Sequence, residues 1–233
     1  MTRTTSGHGK IDKLLNGGFI RGSNIMFLGR SFSGAYIFPL YFAARGTLEE
    51  ECALIITIDK PYDVIIDIMK NFGAEMDNLI VIDLYSLPTG YVDFDFEYDG
   101  VIFLENRYNT ETLLSHIINS ANERFLYRVV VPLSSMLLYL PALEVSNLVE
   151  RVSALVRKHK SLGFYTINTG MHKEEIIEMF MRLSDGSFEF SHRDGTSYFR
   201  VIGIRDAQTS GWISYSTSVK EIDIESFTLS KIR

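Results

Sequence analysis

The chain has 233 residues, 46% of them hydrophobic, and a formal net charge of −6. This is enough apolar content for the core of one α/β domain over 1–233, and the acidic balance with dispersed basic residues excludes a global nucleic-acid footprint. The single cysteine, Cys52, excludes an intrachain disulfide and, without Cys/His spacing, a zinc site. Residues 1–10 lack the apolar run of a secretory signal, and no stretch reaches the about 18 to 20 apolar residues that span a bilayer, so a cytoplasmic location and no membrane partner are expected.

In chain order, the apolar run Ile25–Leu28 predicts a short buried strand, followed by the loop Gly29-Arg30-Ser31-Phe32-Ser33-Gly34-Ala35-Tyr36. A helix is predicted over 35–46, apolar nearly all round and therefore packed between sheet and neighbours. Strand, loop and helix in this order match the phosphate-cradling pattern G-x-x-x-x-G-K-[ST]. Gly29 and Gly34 keep its spacing, but Ala35 stands in the place of the lysine and Tyr36 in that of the small hydroxyl. Alanine brings no charge to a phosphate, and a tyrosine oxygen lies too far out to replace the metal-ligating hydroxyl. Phe32 occupies a position where close backbone approach favours glycine.

A second buried strand over 53–58 ends at Asp59-Lys60, and an amphipathic helix follows it to Asn71-Phe72-Gly73. Strands are predicted at 79–83 and 101–104. Between them Pro88–Gly100 is acidic and aromatic, alternating through Tyr91–Tyr98, and reads as an exposed edge strand or a partner-facing loop rather than a carboxylate metal site. Helices are predicted over 110–123 and 141–160, with a central strand at 127–132 between them. The basic run Arg157–Lys160 fits a solvated helix C-terminus, where cations favour the dipole. A strand over 162–167 and a helix over 172–183 follow. The tail then changes period: 187–191, 197–204 and 212–216 read as antiparallel strands, with Arg193-Asp-Gly-Thr as a tight hairpin. Repeated β-α units ending in a meander predict a largely parallel sheet with an antiparallel extension. The five histidines are scattered without nucleophile–base or metal spacing, so no metal site is expected.

Residues 6–23, S-G-H-G-K-I-D-K-L-L-N-G-G-F-I-R-G-S, resemble the opening of the KaiC-like branch of the RecA ATPase superfamily, T-G-I-x-x-L-D-x-L-L-x-G-G-h-x-x-G-S, which is likewise followed by a strand and phosphate loop. The resemblance implies a RecA-like P-loop core: a mostly parallel central sheet flanked by helices, with a C-terminal antiparallel β extension. It also implies a pair of glutamates that activate water, where this chain has Asp59 and Lys60. The Walker B strand of the family is similar to Arg128–Tyr139, R-V-V-V-P-L-S-S-M-L-L-Y, with Pro132 in the place of the magnesium-holding aspartate. Its K-M-R-G segment, which reaches a neighbouring subunit's nucleotide, resembles Val201–Asp206, where Arg205 matches the arginine and Gly203 replaces the lysine.

These altered positions imply a catalytically inactive homologue, needing no cofactor, that acts as a regulatory or scaffolding protein in signal transduction. Its contacts would be a protein partner, an active paralogue or further copies of itself, with residues 91–98 and the C-terminal strands as candidate surfaces. One alternative is ATP or phosphate binding without efficient hydrolysis, using backbone N–H groups of the 29–36 loop with Arg30 supplying charge. Another is single-stranded DNA binding in the manner of a recombinase paralogue. The loop Met136–Ala142 carries no Lys or Arg, so nucleic acid is not expected.

Overall fold

The computed structural model describes residues 2–124, 126–208 and 211–226. An antiparallel ribbon of β1 (Arg3–Thr4) and β2 (Phe19–Ile20) encloses the short helix α1 (Gly9–Leu14). The β/α succession then runs β3 (Asn24–Gly29), α2 (Ile37–Thr47), β4 (Cys52–Thr57), α3 (Tyr62–Asn71), β5 (Leu79–Asp83), α4 (Ser86–Thr89) and β6 (Val101–Phe103). It continues through α5 (Thr110–Glu123), β7 (Tyr127–Pro132), α6 (Leu133–Met136), α7 (Ala142–His159), β8 (Leu162–Asn168) and α8 (Glu174–Met181). The chain closes on β9 (Ser187–Arg193), β10 (Thr196–Ile202), β11 (Ile213–Thr217) and β12 (Ile222–Ile224).

All but the β1–β2 ribbon join one 10-stranded sheet in the order β12-β11-β10-β9-β3-β8-β7-β4-β5-β6. Every residue of β3, β4 and β7 is buried, as strands covered on both faces require. Alternation along β3 divides the core. Ile25 and Phe27 pack with α2 and α3 in one cluster, while Met26 and Leu28 join α5, α7 and Phe180 of α8 in the other. The α2 face is aromatic: Phe27 stacks on Phe188 at 5.3 Å, and Phe38 meets Phe190 edge-on at 4.8 Å.

The parallel sheet with its antiparallel extension is as expected, with one correction. The strand starting at Ser187 pairs antiparallel with β10 but parallel with β3, through Met26↔Ser187 to Leu28↔Glu189. A helix after β8 turns the chain back, so β9 enters beside β3 as a further parallel strand. The hairpin at Asp194 and Gly195 has φ of 50° and 76°, the paired positive values that its turn type demands. The segment 90–100 is loop rather than edge strand, leaving β6 at the sheet margin. The helix after the glycine loop starts at Ile37, two residues later than predicted.

A buried ionic cluster fastens the amino-terminal segment to this frame. The Arg128 guanidinium, fully buried on β7, donates to Glu51 Oε2 at 2.6 Å, Phe42 O at 2.7 Å, Thr5 O at 2.8 Å and Thr4 Oγ1 at 3.1 Å. Glu51 Oε1 accepts from Thr4 Oγ1 at 2.6 Å and from Arg21 at 2.7 Å. Burial by itself would raise the Glu51 pKa, but the Arg128 hydrogen bond and charge, with Thr4 and Arg21, hold it below the usual value.

Candidate functional site

The carboxyl ends of β3, β4, β7 and β8 converge on a cavity of about 420 Å³ lined by the whole 29–36 loop together with Asp59, Lys60, Ser134, Ser135, Thr166, Asn168 and Met171. Crevices beyond the carboxyl ends of strands are where open α/β sheets hold ligands. Of the four sequence-predicted groups, the loop and the Asp59–Lys60 pair are brought together here, while Pro132 and the Gly203/Arg205 segment do not line the cavity.

The loop's two glycines are required by neighbouring protein groups. A Cβ on Gly29 would lie 2.2 Å from Ser33 Oγ, and one on Gly34, whose φ is +82°, would lie 2.2 Å from Tyr215 Oη. Tyr215, on β11, donates its hydroxyl to Ser33 O, and burial pushes its pKa up to about 12, keeping it a donor at neutral pH. The Ser33 N–H donates to Arg30 O at 3.1 Å, and Thr169 N–H donates to Gly29 O at 3.1 Å. Asn168 Nδ2 donates to Ser31 Oγ at 2.7 Å. Ser33 Oγ itself is buried without a hydrogen-bond partner. Phe32 crowns the loop at φ 63° and is 100% exposed, a conformation unusual for a bulky side chain.

Ala35 is buried against the loop, and Tyr36 occupies the cap position of α2 without a side-chain capping bond. The Lys60 ammonium lies 4.7 Å above the Tyr36 ring, within cation–π range. Burial first, and the Asp59 charge second, raise the Tyr36 pKa, so its phenol stays neutral. Asp59 Oδ2 accepts from Ser135 Oγ at 2.8 Å and lies 3.7 Å from Lys60 Nζ.

Pro132 is buried at the end of β7 in register with Thr166; Ser134 and Ser135 beyond it, not the proline, line the cavity. Gly203 and Arg205 do not come to the loop. Arg205 borders a separate small cavity with Ile20, Ser23, Arg157 and Asp185. Asp185 accepts from Asn24 N–H at 2.8 Å, at the opposite end of β3 from Gly29.

Sequence reading missed the contributions of Ser134, Asn168 and Tyr215. It also found no paired histidine, whereas His172 Nε2 lies 2.9 Å from Ser134 Oγ, which accepts from Asn168 N–H at 2.6 Å. Burial lowers the His172 pKa. No carboxylate is hydrogen-bonded to that ring among the described residues, so the pair lacks the orienting third group of a nucleophile–base system. Ser134 lies within the quoted 128–139 motif, but nothing local announces its histidine 38 residues away.

Among the described residues no group of three or more His, Cys, Asp or Glu side chains is placed to hold a metal ion, and no helix is long and apolar enough to cross a membrane. The structure of a KaiC-like protein from the hyperthermophilic archaeon Pyrococcus horikoshii OT3 superposes with a TM-score of 0.72 at 15% identity, over 97% of this chain and 99% of that one. At that identity the likeness speaks for the fold, a RecA-like P-loop core. No curated protein sequence matches the chain. The family model described as "ATPase: KaiC" matches residues 4–167, which take in the opening motif, the glycine loop, the Asp59–Lys60 pair and the 128–139 strand. The chain belongs to the KaiC-type ATPase family.

Proposed function

We propose that this chain is a KaiC-type ATPase homologue without hydrolytic activity, acting as a regulatory or scaffolding protein in signalling through protein contacts. Closure of the 29–36 loop on protein groups carries this reading. Ser33 Oγ fills the approach over Gly29, and the Tyr215 hydroxyl occupies the space over Gly34. The residues present do not fit magnesium-nucleotide in the manner of an active P-loop. Ala35 offers no cation, the Tyr36 ring engages Lys60, and Pro132 has no side-chain oxygen and no N–H. Asp59, the one acid of the pair, is already held by Ser135 and Lys60. No cofactor is needed for the scaffolding role, and Arg205 has no assigned part in it.

Purified protein incubated with magnesium and ATP should release phosphate no faster than a buffer blank. Turnover well above that blank, lost on Asp59→Asn, would overturn the proposal.

A second reading, nucleotide binding without hydrolysis, is favoured by the cavity itself, which Arg30 and Lys60 border with positive charge. Isothermal titration with ATP, with and without magnesium, separates the two. Micromolar binding that Arg30→Ala weakens selects the second, and absence of heat selects the first.

A further inference from the structure

The sheet margin at β6 is apolar, unpaired on its outer side among the described residues and set beside the most acidic part of the chain. Its three residues, Val101, Ile102 and Phe103, are partly exposed, and β6 pairs only with β5 among the described residues. The ladder shows which backbone groups face outward. Gly100 O accepts from Val81 N–H, and Leu104 N–H donates to Asp83 O. Alternate residues of a parallel strand face the same neighbour, so Ile102 bonds β5 while the Phe103 N–H and the Val101 and Phe103 carbonyls point away from it.

A cavity of about 660 Å³ runs along this margin, bordered by Phe94, Phe96, Tyr98, Val101, Phe103 and Glu105. Two of its lining rings, Phe96 and Phe103, meet at 5.7 Å, and Tyr62 behind them meets Tyr98 at 5.1 Å and Phe103 at 5.3 Å. Phe94 stands 78% exposed at its rim. Residues 71–106 contain no Lys, Arg or His, while Asp93, Asp95, Glu97, Asp99 and Glu105 surround the margin. Among the described residues none of these five acids forms an ion pair. Sheet edges are ordinarily protected by charges placed in the strand itself. Here the charges flank a strand that has none, an arrangement complementary in charge to a cationic segment.

We propose that this margin is a docking groove for an extended basic segment of a protein partner, which adds as a strand beside β6. Alternate apolar side chains of that segment would enter the aromatic groove, and its Lys and Arg side chains would meet Asp93, Asp95, Glu97 and Asp99. The inference rests on the reading of the chain as a protein-interaction module, but not on the state of the phosphate loop. ATP turnover would overturn the earlier proposal and leave this one intact.

The test uses the full chain and a labelled synthetic peptide of alternating valine and lysine, read by fluorescence anisotropy. Binding should weaken about tenfold when the four acids are replaced together (Asp93→Asn, Asp95→Asn, Glu97→Gln, Asp99→Asn) at about 0.05 M salt, with the difference shrinking by about 0.5 M. The four are exposed, so an unchanged melting temperature serves as the folding control. Peptide N-methylated on the residues facing β6 should fail to bind, and hydrogen exchange should show new protection at the Phe103 amide with little change at Ile102. Three outcomes overturn the proposal: no binding, equal binding of peptides N-methylated in either register, or self-association of the free chain through this margin that the quadruple variant abolishes.

Discussion

Glu51→Gln tests the buried ionic cluster that ties the amino-terminal ribbon to β7. The change keeps the side-chain size and removes the negative charge, leaving the fully buried Arg128 guanidinium with only neutral acceptors at Phe42 O, Thr5 O and Thr4 Oγ1. Breaking a buried pair by neutralising one partner costs about 3–5 kcal/mol, because the remaining charge is uncompensated. For a chain of this size, about 2–4 °C of melting temperature per kcal/mol gives a fall of roughly 6–20 °C. The acid limb supplies the second signature. The folded pKa of Glu51 lies below the 4.5 of the free group. Its contribution is therefore complete above the unfolded value and is lost as pH falls through the lower folded value. Thermal melts followed by circular dichroism from about pH 7 to about pH 3 should show a steeper acid decline in the wild type than in the variant. A variant melting within about 2 °C of wild type at neutral pH, or one whose acid decline runs parallel to it, would refute the reasoning.

The loop offers a coupled test. Gly34→Ala places a Cβ in a left-handed position and 2.2 Å from Tyr215 Oη, so it should cost about 2 kcal/mol or more in urea unfolding. The loss should be smaller in a Tyr215→Phe background, where the obstructing hydroxyl is gone, and additive losses would exclude that contact. Phe188→Ala opens a hole where Phe188 meets Phe27 at 5.3 Å and Phe199 at 6.0 Å. It should cost about 3–5 kcal/mol, measured as a lowered urea midpoint at constant slope. Burial raises the Cys52 thiol from 9.0 to about 11, so iodoacetamide should leave the folded protein unlabelled near neutral pH and label it readily in urea. Rapid labelling of the folded chain would contradict the burial of β4.

The β/α alternation, the place of the glycine loop and the Asp194–Gly195 hairpin were legible in the sequence, because each is written in apolar period or turn chemistry over a few neighbouring residues. The nearly all-round apolar character of residues 35–46 likewise announced a helix sunk between sheet and neighbours, observed as Ile37–Thr47. The two-residue strands of the amino-terminal ribbon and the short helices α1, α4 and α6 escaped, since a single turn or bridge leaves no period to read. In the site, the loop was legible because a spaced motif carries it and Asp59–Lys60 because the family resemblance implies an acidic pair at that strand end, whereas the partners that close the loop lie on distant strands.

By its sequence alone this chain carries the strand, glycine loop and helix order of a phosphate loop, and its resemblance to the family implies a cation, a small hydroxyl and a carboxylate where Ala35, Tyr36 and Pro132 stand. Folding decided what surrounds those positions. It brought Tyr215 onto Ser33 across 182 residues, His172 onto Ser134 across 38, and Arg128 onto Glu51 across 77. It also turned Ser187–Arg193 into a parallel neighbour of β3 and placed β6 at the other margin of the sheet, paired only with β5 among the described residues. Contacts of that span are selected by how strands order in the sheet, and strand order comes from the joint packing of both faces, to which a single segment contributes only its own buried side.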